Sequence, residues 1–313
     1  MDAVVVTGAS SGIGRATALR LDRAGFKVFA TVREQADAES LCSQGSPRLS
    51  TPPLDVTRAR SIARARKLIA EELGGAPLSA LVNNAGIPVP GPLEELPIAD
   101  FRRQLEVNVV GQLAVTQAFL PQIREVEGRI VFVSSLGGRV AFPLAGAYHA
   151  SKFALEAVGE TLRQELRPGN VEVVLVEPAS ASSEIWRKAI ERIRRRQANG
   201  SRHYEQQLDK FTERLAQQDE RGMDAEKVAE AIEEALTARS PSSRYPVGVA
   251  AQLLTRVRAS SPIASLTPSL GARFGGEGFA GADLLATVPD LRVGPVFDRV
   301  HDGVSGEELS ERV

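Results

Sequence analysis

Residues 7–14 read Thr7-Gly8-Ala9-Ser10-Ser11-Gly12-Ile13-Gly14 and stand between an apolar run and a helical pattern. Glycines allow a tight turn and a close approach of the backbone to a ligand, and the N-terminus of the following helix stabilises negative charge. Such a turn after a first strand is typical of dinucleotide binding at the pyrophosphate. The spacing is G-x-x-x-G-x-G rather than G-x-G-x-x-G, with Thr17 at the third position, so a purely structural turn stays open as an alternative.

Short apolar, β-branched runs alternate with longer helical patterns on both sides of this turn. The predicted strands cover residues 3–7, 27–32, 48–54, 80–83, 129–134, 172–177 and 244–247. The predicted helices cover residues 14–24, 58–73, 98–126, 147–166 and 224–238. This alternation predicts βαβ units, and the continuously apolar strands indicate burial on both faces. The fold class is therefore α/β, a doubly wound parallel sheet in a three-layer α/β/α arrangement.

The sequence changes character after Pro178. Two amphipathic stripes predict helices within residues 184–222, which we interpret as a lid over a hydrophobic ligand; packing on the body of the protein alone is the alternative. Acidic residues dilute the arginine run at 192–196, so contact with an anionic membrane surface is not favoured. Beyond Ala259 the chain is rich in Ser, Pro and Gly. We predict one catalytic domain over residues 1–258 and a loosely structured or disordered C-terminal extension over 259–313.

Composition restricts the class of protein. The 313 residues carry a net charge of −1, which argues against a nucleic-acid binder. A single cysteine, Cys42, excludes an intrachain disulfide and favours a reducing compartment. Because we find no signal-peptide pattern and no segment of bilayer length, we expect a cytoplasmic protein without an integral membrane segment. No His/Cys/Asp cluster has metal-ligand spacing, so we predict no metal site.

The second predicted strand ends in Phe29-Ala30-Thr31-Val32-Arg33. An acidic residue at this point would bind the ribose 2′-hydroxyl of NAD, whereas Arg33 suits the 2′-phosphate of NADP. Arg15 could assist, or it could be a solvated surface residue. The pattern predicts NADP(H) as the cofactor, with NAD(H) as the alternative.

Tyr148 and Lys152 lie four residues apart and therefore share one helix face. A lysine beside a phenol favours the phenolate, which can make tyrosine a general acid/base. The position of the pair supports a functional role. Its helix follows a strand that ends at Ser134-Ser135, and ligands of parallel sheets bind at the carboxyl ends of strands.

In combination these motifs resemble the short-chain dehydrogenase/reductase family. The resemblance rests on the glycine-rich turn, Asn83-Asn84-Ala85-Gly86, Asn108, Ser135, Tyr148 and Lys152, in the family's order, and it spans about residues 4–248. The hydroxysteroid and retinol dehydrogenase-like branch is the most similar. The resemblance implies a single Rossmann-type domain, a homodimer or homotetramer, and an NADP(H)-dependent oxidoreductase that interconverts a ketone or aldehyde and an alcohol on a hydrophobic substrate.

The resemblance also implies roles for individual residues. Tyr148 would exchange a proton with the substrate oxygen, Ser135 would hydrogen-bond that oxygen, Lys152 would bind the nicotinamide ribose, and Asn108 would anchor a water that links Lys152 to solvent. Substrate contacts are expected from Ser135, Tyr148, Phe142 and Trp186. The predicted cofactor-binding residues are Gly8, Ser10, Ser11, Gly12, Ile13, Gly14, Arg33, Asp55, Val56, Asn84, Ala85, Gly86, Tyr148, Lys152, Pro178 and Ser183.

One departure from the family pattern affects the cofactor. The family has Pro-Gly after its sixth strand, whereas Pro178 is followed here by Ala179, which tolerates positive φ poorly. Ser183 takes the place of a threonine and keeps the hydroxyl. Two other functions remain as alternatives: a non-catalytic dinucleotide-binding protein that reports to a partner, and a sugar-nucleotide epimerase or dehydratase. The second has a different glycine pattern.

Overall fold

The computed structural model describes residues 2–179, 184–197 and 203–252, all within one compact unit. The predicted C-terminal extension therefore lies outside the described residues. Seven strands form one sheet: β1 Ala3–Val6, β2 Lys27–Ala30, β3 Leu49–Ser50, β4 Ala80–Asn83, β5 Arg129–Val133, β6 Glu172–Pro178 and β7 Arg244–Val247. The nine described helices are α1 Gly12–Arg23, α2 Gln35–Cys42, α3 Ala59–Leu73, α4 Ile98–Leu105, α5 Gly111–Arg124, α6 Gly146–Leu166, α7 Glu184–Gln197, α8 Glu205–Arg221 and α9 Ala225–Thr237.

The sheet is parallel throughout, with strand order β3-β2-β1-β4-β5-β6-β7. Val5 pairs with Phe29 of β2 on one side and with Leu81 of β4 on the other. The chain therefore reverses its winding direction at β1, between β2 and β4. Ligands of such sheets bind in the crevice at this switch point, outside the carboxyl ends of the strands.

Both faces of the sheet are buried, and alternation along each strand assigns the side chains to two cores. Val4 and Val6 pack with α1 and α9 on one face, whereas Val5 packs with α3, α5 and α6 on the other. Because the central strands are covered on both sides, their apolar residues follow one another continuously, as in the Ala3–Val6 run of β1, rather than at every second position. The predicted doubly wound, three-layer α/β/α fold is confirmed.

The structure differs from the predicted helices and strands in three places. Helix α2 was not predicted. The third strand is reduced to Leu49–Ser50, with one isolated bridge between Val32 and Pro53, because the prolines at 52 and 53 have no N–H to donate to a ladder. The helix predicted over 98–126 is interrupted by a π-helical turn at Glu106–Val110 and ends at Arg124.

Helices α7 and α8 pack against each other through an apolar cluster of their own. Its buried members are Ala189, Ile193, Leu208 and Leu215. Leu144, from the loop that precedes α6, also packs in this cluster and has a left-handed backbone with φ of 67°. Its carbonyl accepts a hydrogen bond of 2.7 Å from Gly91 N. The α7–α8 pair, which we call the lid, is thus in contact with the loop that leads into the Tyr148 helix.

No helix in the part of the chain that the structure describes is both long and apolar enough to cross a membrane. The same ranges contain no group of three or more His, Cys, Asp or Glu side chains that could hold a metal ion.

Candidate active site

A cleft of about 860 Å³ opens at the carboxyl ends of the strands, beneath α7. It runs from the end of β2, past the glycine-rich turn, to the N-terminal part of α6. With two exceptions, every predicted site residue lies in its wall. These residues are Gly8, Ser10, Ser11, Gly12, Ile13, Gly14, Arg33, Asp55, Val56, Asn84, Ala85, Gly86, Asn108, Ser135, Tyr148, Lys152, Pro178 and Trp186.

The glycine-rich turn is held in a single conformation by its neighbours. Gly8 has φ of 66°, a left-handed value that favours glycine. A Cβ added at Gly14 would lie 2.3 Å from the Gly8 carbonyl oxygen and 2.4 Å from Asn84 Nδ2, so only glycine fits there. Asn84 Nδ2 donates to the carbonyls of Thr7 and Gly8 at 2.9 and 3.0 Å. The turn and the end of β4 therefore form one rigid unit, with the N-terminus of α1 facing the cleft.

The far end of the cleft carries Arg33, which is exposed, together with Asp55 and Arg58. Burial raises the pKa of Asp55, but hydrogen bonds from Thr57 and the charges of Arg58 and Arg33 bring it below its usual value. The carboxylate thus remains ionised beside two guanidinium groups. Arg15 does not line the cleft: its Nη2 donates to Ser40 Oγ at 3.0 Å and ties α1 to α2.

Ser135 and Tyr148 meet at the opposite end of the cleft. Ser135 follows β5, and its Oγ accepts a hydrogen bond of 3.0 Å from Gly137 N, which leaves the hydroxyl proton available to a ligand. Burial raises the pKa of the Tyr148 phenol, and the neighbouring Ser135 hydroxyl lowers it; the net direction is upward. Tyr148 is therefore protonated at neutral pH and can donate a proton.

Lys152 lies one turn after Tyr148 on α6 and is buried. Its Nζ donates to the Val133 carbonyl at 2.7 Å and lies 5.8 Å from the centre of the Tyr148 ring. Burial lowers the pKa of Lys152 to about 8, and the charge of Glu156 acts in the opposite direction. The ammonium group is thus a positive charge near the phenol below about pH 8.

Asn108 lies within the π-helical turn between α4 and α5, and its side chain is buried. Its Oδ1 accepts from Ile87 N at 2.9 Å, while Nδ2 donates to Ile87 O and to Ser151 Oγ, each at 3.1 Å. The amide therefore links the loop after β4 to α6. The sequence identified this residue but not the π-helical turn that orients it.

The two exceptions concern predicted cofactor and substrate contacts. Phe142 does not line the cleft; its ring packs edge-on against His149, with 5.6 Å between the ring centres. Ser183 lies outside the described residues.

A set of basic residues lines the cleft but was not among the predicted site residues. They project from α4 and from the cleft-facing side of α7: Arg102, Arg103, Lys188, Arg192 and Arg195. Arg192 Nη1 donates to the carbonyl of Pro88, on the loop after β4, so α7 bridges the cleft. A spacing of four and three residues places positions 188, 192 and 195 on one helix face, which was the available signal.

His149 is buried behind the Ser135 turn. Its Nδ1 lies 3.0 Å from the Gly137 carbonyl oxygen, and burial lowers the pKa of the imidazole. Nothing in the sequence around His149 indicates this contact.

Comparison with known proteins identifies the family. The family described as short chain dehydrogenase matches residues 2–194. The chain belongs to the short-chain dehydrogenase/reductase family. It is 37% identical to mouse retinol dehydrogenase 16 over 80% of this chain and 81% of that protein. It is 35% identical to the NADPH-dependent 3-dehydrocapnine reductase of Ornithobacterium rhinotracheale, over 78% and 87% of the two chains. A short-chain dehydrogenase/reductase structure from Burkholderia phymatum, in complex with NAD, has a TM-score of 0.68 and 26% identity, covering 82% and 92% of the two chains.

Relatives named as retinol dehydrogenases, together with mouse estradiol 17-beta-dehydrogenase 2 at 36% identity over 84% of this chain and 72% of that protein, place this short-chain dehydrogenase/reductase in the retinol and steroid dehydrogenase-like branch. It is accordingly an oxidoreductase that interconverts CH–OH and C=O groups with NAD(P). The expected strain at Ala179 is absent, since its φ is not positive. Instead Ala179 N donates to the Val247 carbonyl at 2.9 Å and extends the pairing of β6 with β7. Alanine therefore fits at position 179 without a strained backbone.

Proposed function

We propose that this protein is an NADP(H)-dependent dehydrogenase or ketoreductase for an apolar carbonyl/alcohol pair, with Tyr148 as the general acid/base. The observation that carries the proposal is the convergence of Ser135, Tyr148 and Lys152 at one end of the cleft that contains the glycine-rich turn and Arg33. The reacting end and the dinucleotide-recognition end thus share one cavity.

The wall of the cleft fits an anionic dinucleotide. Its basic side chains outnumber its acidic ones although the whole chain has a net charge of −1. The basic residues are Arg33, Arg58, Arg102, Arg103, Lys152, Lys188, Arg192 and Arg195; the acidic ones are Asp55, Glu106 and Glu191. The glycine-rich turn and the N-terminus of α1 would hold the pyrophosphate, and Lys152 the nicotinamide ribose. When bound, the nicotinamide supplies or accepts the hydride.

The chain's own groups handle the substrate oxygen and its proton. In the reductive direction the Ser135 hydroxyl donates a hydrogen bond to the carbonyl oxygen and fixes its position. The Tyr148 phenol then donates its proton to that oxygen as negative charge develops. The Lys152 ammonium stabilises the phenolate that remains. In the oxidative direction the phenolate accepts the alcohol proton, so this direction is favoured by higher pH.

The lid supports an apolar substrate. Ile185 and Trp186 line the cleft from α7, and Ile87 lines it from the loop after β4. Retinol dehydrogenases among the relatives act on apolar alcohols by their names, which agrees with this assignment. The basic side chains on α4 and α7 would also accept a substrate with an acidic tail. The test must therefore compare substrates with and without a carboxylate.

The test is NADPH oxidation, followed by absorbance, over a panel of steroid, retinoid, fatty and small ketones or aldehydes. The panel includes matched ketones with and without a terminal carboxylate, and NADH is run in parallel. Turnover of one apolar class with NADPH supports the proposal. NADPH binding without turnover of any member would favour the non-catalytic alternative.

Arg33 provides a separate test of cofactor choice. Arg33 stands just after the end of β2, where an acidic residue would select NAD. Replacing Arg33 with Ser removes the guanidinium group proposed to bind the 2′-phosphate of NADP. We expect the Kd for NADPH to rise about 10- to 100-fold while the Kd for NADH changes little, since a hydrogen bond to a charged group contributes about 1.5–3 kcal/mol. Fluorescence titration measures both constants.

Arg23→Ser is the control for this variant. Arg23 is an exposed arginine that pairs with Glu226 and does not line the cleft. Equal losses of NADPH and NADH affinity in Arg33→Ser would contradict the assignment.

We also propose that the protein forms a homo-oligomer through α4, α5 and α6. Ile98 and Phe153 are exposed on α4 and α6, and Val110 is exposed at the end of the π-helical turn that leads into α5, which leaves apolar area uncovered in a single chain. Light scattering of the purified protein measures the mass, and a monomer at micromolar concentration would rule this out.

A further inference from the structure

A buried carboxylate lies behind the reacting residues and has no part in the mechanism above. Glu156 is one turn beyond Lys152 on α6, on the same helix face as Tyr148 and Lys152. Its side chain is 11% exposed, and the Ser134 hydroxyl lies beside its carboxylate. An ionisable group buried in this way requires compensating charge.

Two arginines from other elements supply that charge. Arg139, after the Ser135 turn, has its Nη2 3.9 Å from Glu156 Oε2, and Arg244, on β7, has its Nε 3.6 Å away. Both arginines also contact Glu177 at the end of β6, at 2.6 and 3.3 Å. Arg244 reaches a third carboxylate, that of Glu160, at 2.9 Å. We call these five residues the α6 charge network.

The network contacts each element that forms the reacting end of the cleft. Arg139 belongs to the turn that carries Ser135, Glu177 precedes Pro178 in the cleft wall, and Glu156 extends the face of α6. The packing between them is tight: a Cβ at Gly138 would lie 2.9 Å from Glu156 Cγ and 3.0 Å from Ser134 Oγ. The side chain of Glu156 therefore has little room to move when a charge in the α6 charge network is changed.

The negative charge of Glu156 also acts on Lys152. It raises the pKa of Lys152, whereas burial lowers it. Burial and the neighbouring Glu177 raise the pKa of Glu156 itself, while a hydrogen bond from the Ser134 hydroxyl and the two guanidinium groups lower it; the net direction is upward. Protonation of Glu156 in acid has no effect on Lys152, which is fully charged at such pH. The influence of Glu156 is therefore confined to neutral and alkaline pH.

We propose that Glu156 is a positioning residue whose carboxylate keeps Lys152 protonated, and so keeps positive charge beside Tyr148, over the working pH range. The proposal rests on the function proposed above for Lys152. Removing the carboxylate while keeping the side-chain shape takes one negative charge from the surroundings of Lys152, and it leaves the guanidinium groups of Arg139 and Arg244 with one carboxylate fewer beside them. Lys152 then loses its proton at a lower pH.

The experiment compares Glu156→Gln with wild type by two readouts. The first is the pH profile of kcat/KM for NADPH-dependent reduction. The second is the pH dependence of acylation at Lys152 in the protein without substrate, quantified by mass spectrometry of its peptide. We expect the alkaline midpoint of both to move to lower pH by about one unit, because an opposite charge nearby shifts a pKa by about that amount or more.

Three variants make the result specific. Glu156→Asp retains the charge and should restore the wild-type midpoint. Glu160→Gln removes the same charge one turn further along α6 and should leave the midpoint within a few tenths of a unit. Arg244→Gln removes an opposing positive charge and should move the midpoint to higher pH, so it tests the proposal even where Glu156→Gln does not fold.

An unchanged midpoint in Glu156→Gln, with the thermal unfolding temperature of wild type, overturns the proposal. A loss of kcat at every pH without movement of the midpoint also overturns it, because that is the behaviour of a merely structural residue. A shifted acylation midpoint in a protein that turns over no carbonyl substrate would instead contradict the proposed function and leave this inference standing.

Discussion

Replacement of Tyr148 by phenylalanine is expected to lower kcat for carbonyl reduction by about 10²- to 10⁴-fold, the usual contribution of a positioned general acid. The variant keeps the ring and its packing on His149 but removes the only atom that carries the proton. Since burial raises the pKa of this phenol, wild type holds that proton at neutral pH. The Kd for NADPH should change by less than about threefold, because no cofactor phosphate depends on the hydroxyl.

Steady-state kinetics gives kcat, and fluorescence titration gives the Kd for NADPH. The matched control is Tyr245→Phe, which removes a phenol outside the cleft that accepts a hydrogen bond of 3.3 Å from Ser242 N. Its kcat should equal that of wild type. A Tyr148→Phe enzyme that reduces its substrate at the wild-type rate would exclude Tyr148 as the acid.

Replacement of Gly14 by alanine is expected to destabilise the protein by about 3 kcal/mol or more and to weaken NADPH binding at least about tenfold. The added Cβ would overlap the Gly8 carbonyl oxygen and the Asn84 amide at 2.3 and 2.4 Å. Neither atom can move alone, since Asn84 Nδ2 is hydrogen-bonded to that carbonyl and to the carbonyl of Thr7. The glycine-rich turn must therefore separate from the end of β4.

Urea unfolding measures the loss of stability, and titration with NADPH measures the loss of affinity. Gly169→Ala serves as the control, because a Cβ at Gly169 meets no atom within 4 Å and its φ is not left-handed. That substitution should leave both quantities within about 0.5 kcal/mol of wild type. Wild-type stability in Gly14→Ala would mean that the turn is more adaptable than its contacts indicate.

The sequence predicts those parts of the fold whose pattern is long and regular. The strand runs, buried on both faces, identify the sheet, and residues 7–14 identify its switch point. Helix α2 escaped notice because only Ala38 and Leu41 of its eight residues are buried, too few to establish a helical period. The π-helical turn at Glu106–Val110 escaped for a different reason. It inserts one residue into an otherwise continuous helical pattern, and the contact of Gly111 with Val56 that accompanies it is not local.

The site residues also differ in whether a local sequence pattern or the packing of distant elements determines their position. Residues fixed by a short motif, such as Tyr148 and Lys152, were placed in the cleft. Lys188 and Arg195 resemble a solvated helix face in the sequence, and only the packing of α7 across the cleft gives them a position in its wall. Phe142 is a different case: its proximity to Tyr148 along the chain suggested a substrate contact, and in the structure its ring packs against His149.

The position of β1 in the sheet has a consequence for how the protein is made. Strand β1 precedes the other six strands in the chain but lies inside the sheet, and its second neighbour, β4, begins at Ala80. While residues 4–6 wait for that partner, β1 is an unpaired and wholly apolar edge of a three-stranded sheet. Such an edge is the part of a nascent chain most prone to aggregate, and pairings this distant in sequence form slowly. Biogenesis, rather than the stability of the finished fold, is therefore the stage at which we expect this protein to depend on chaperones.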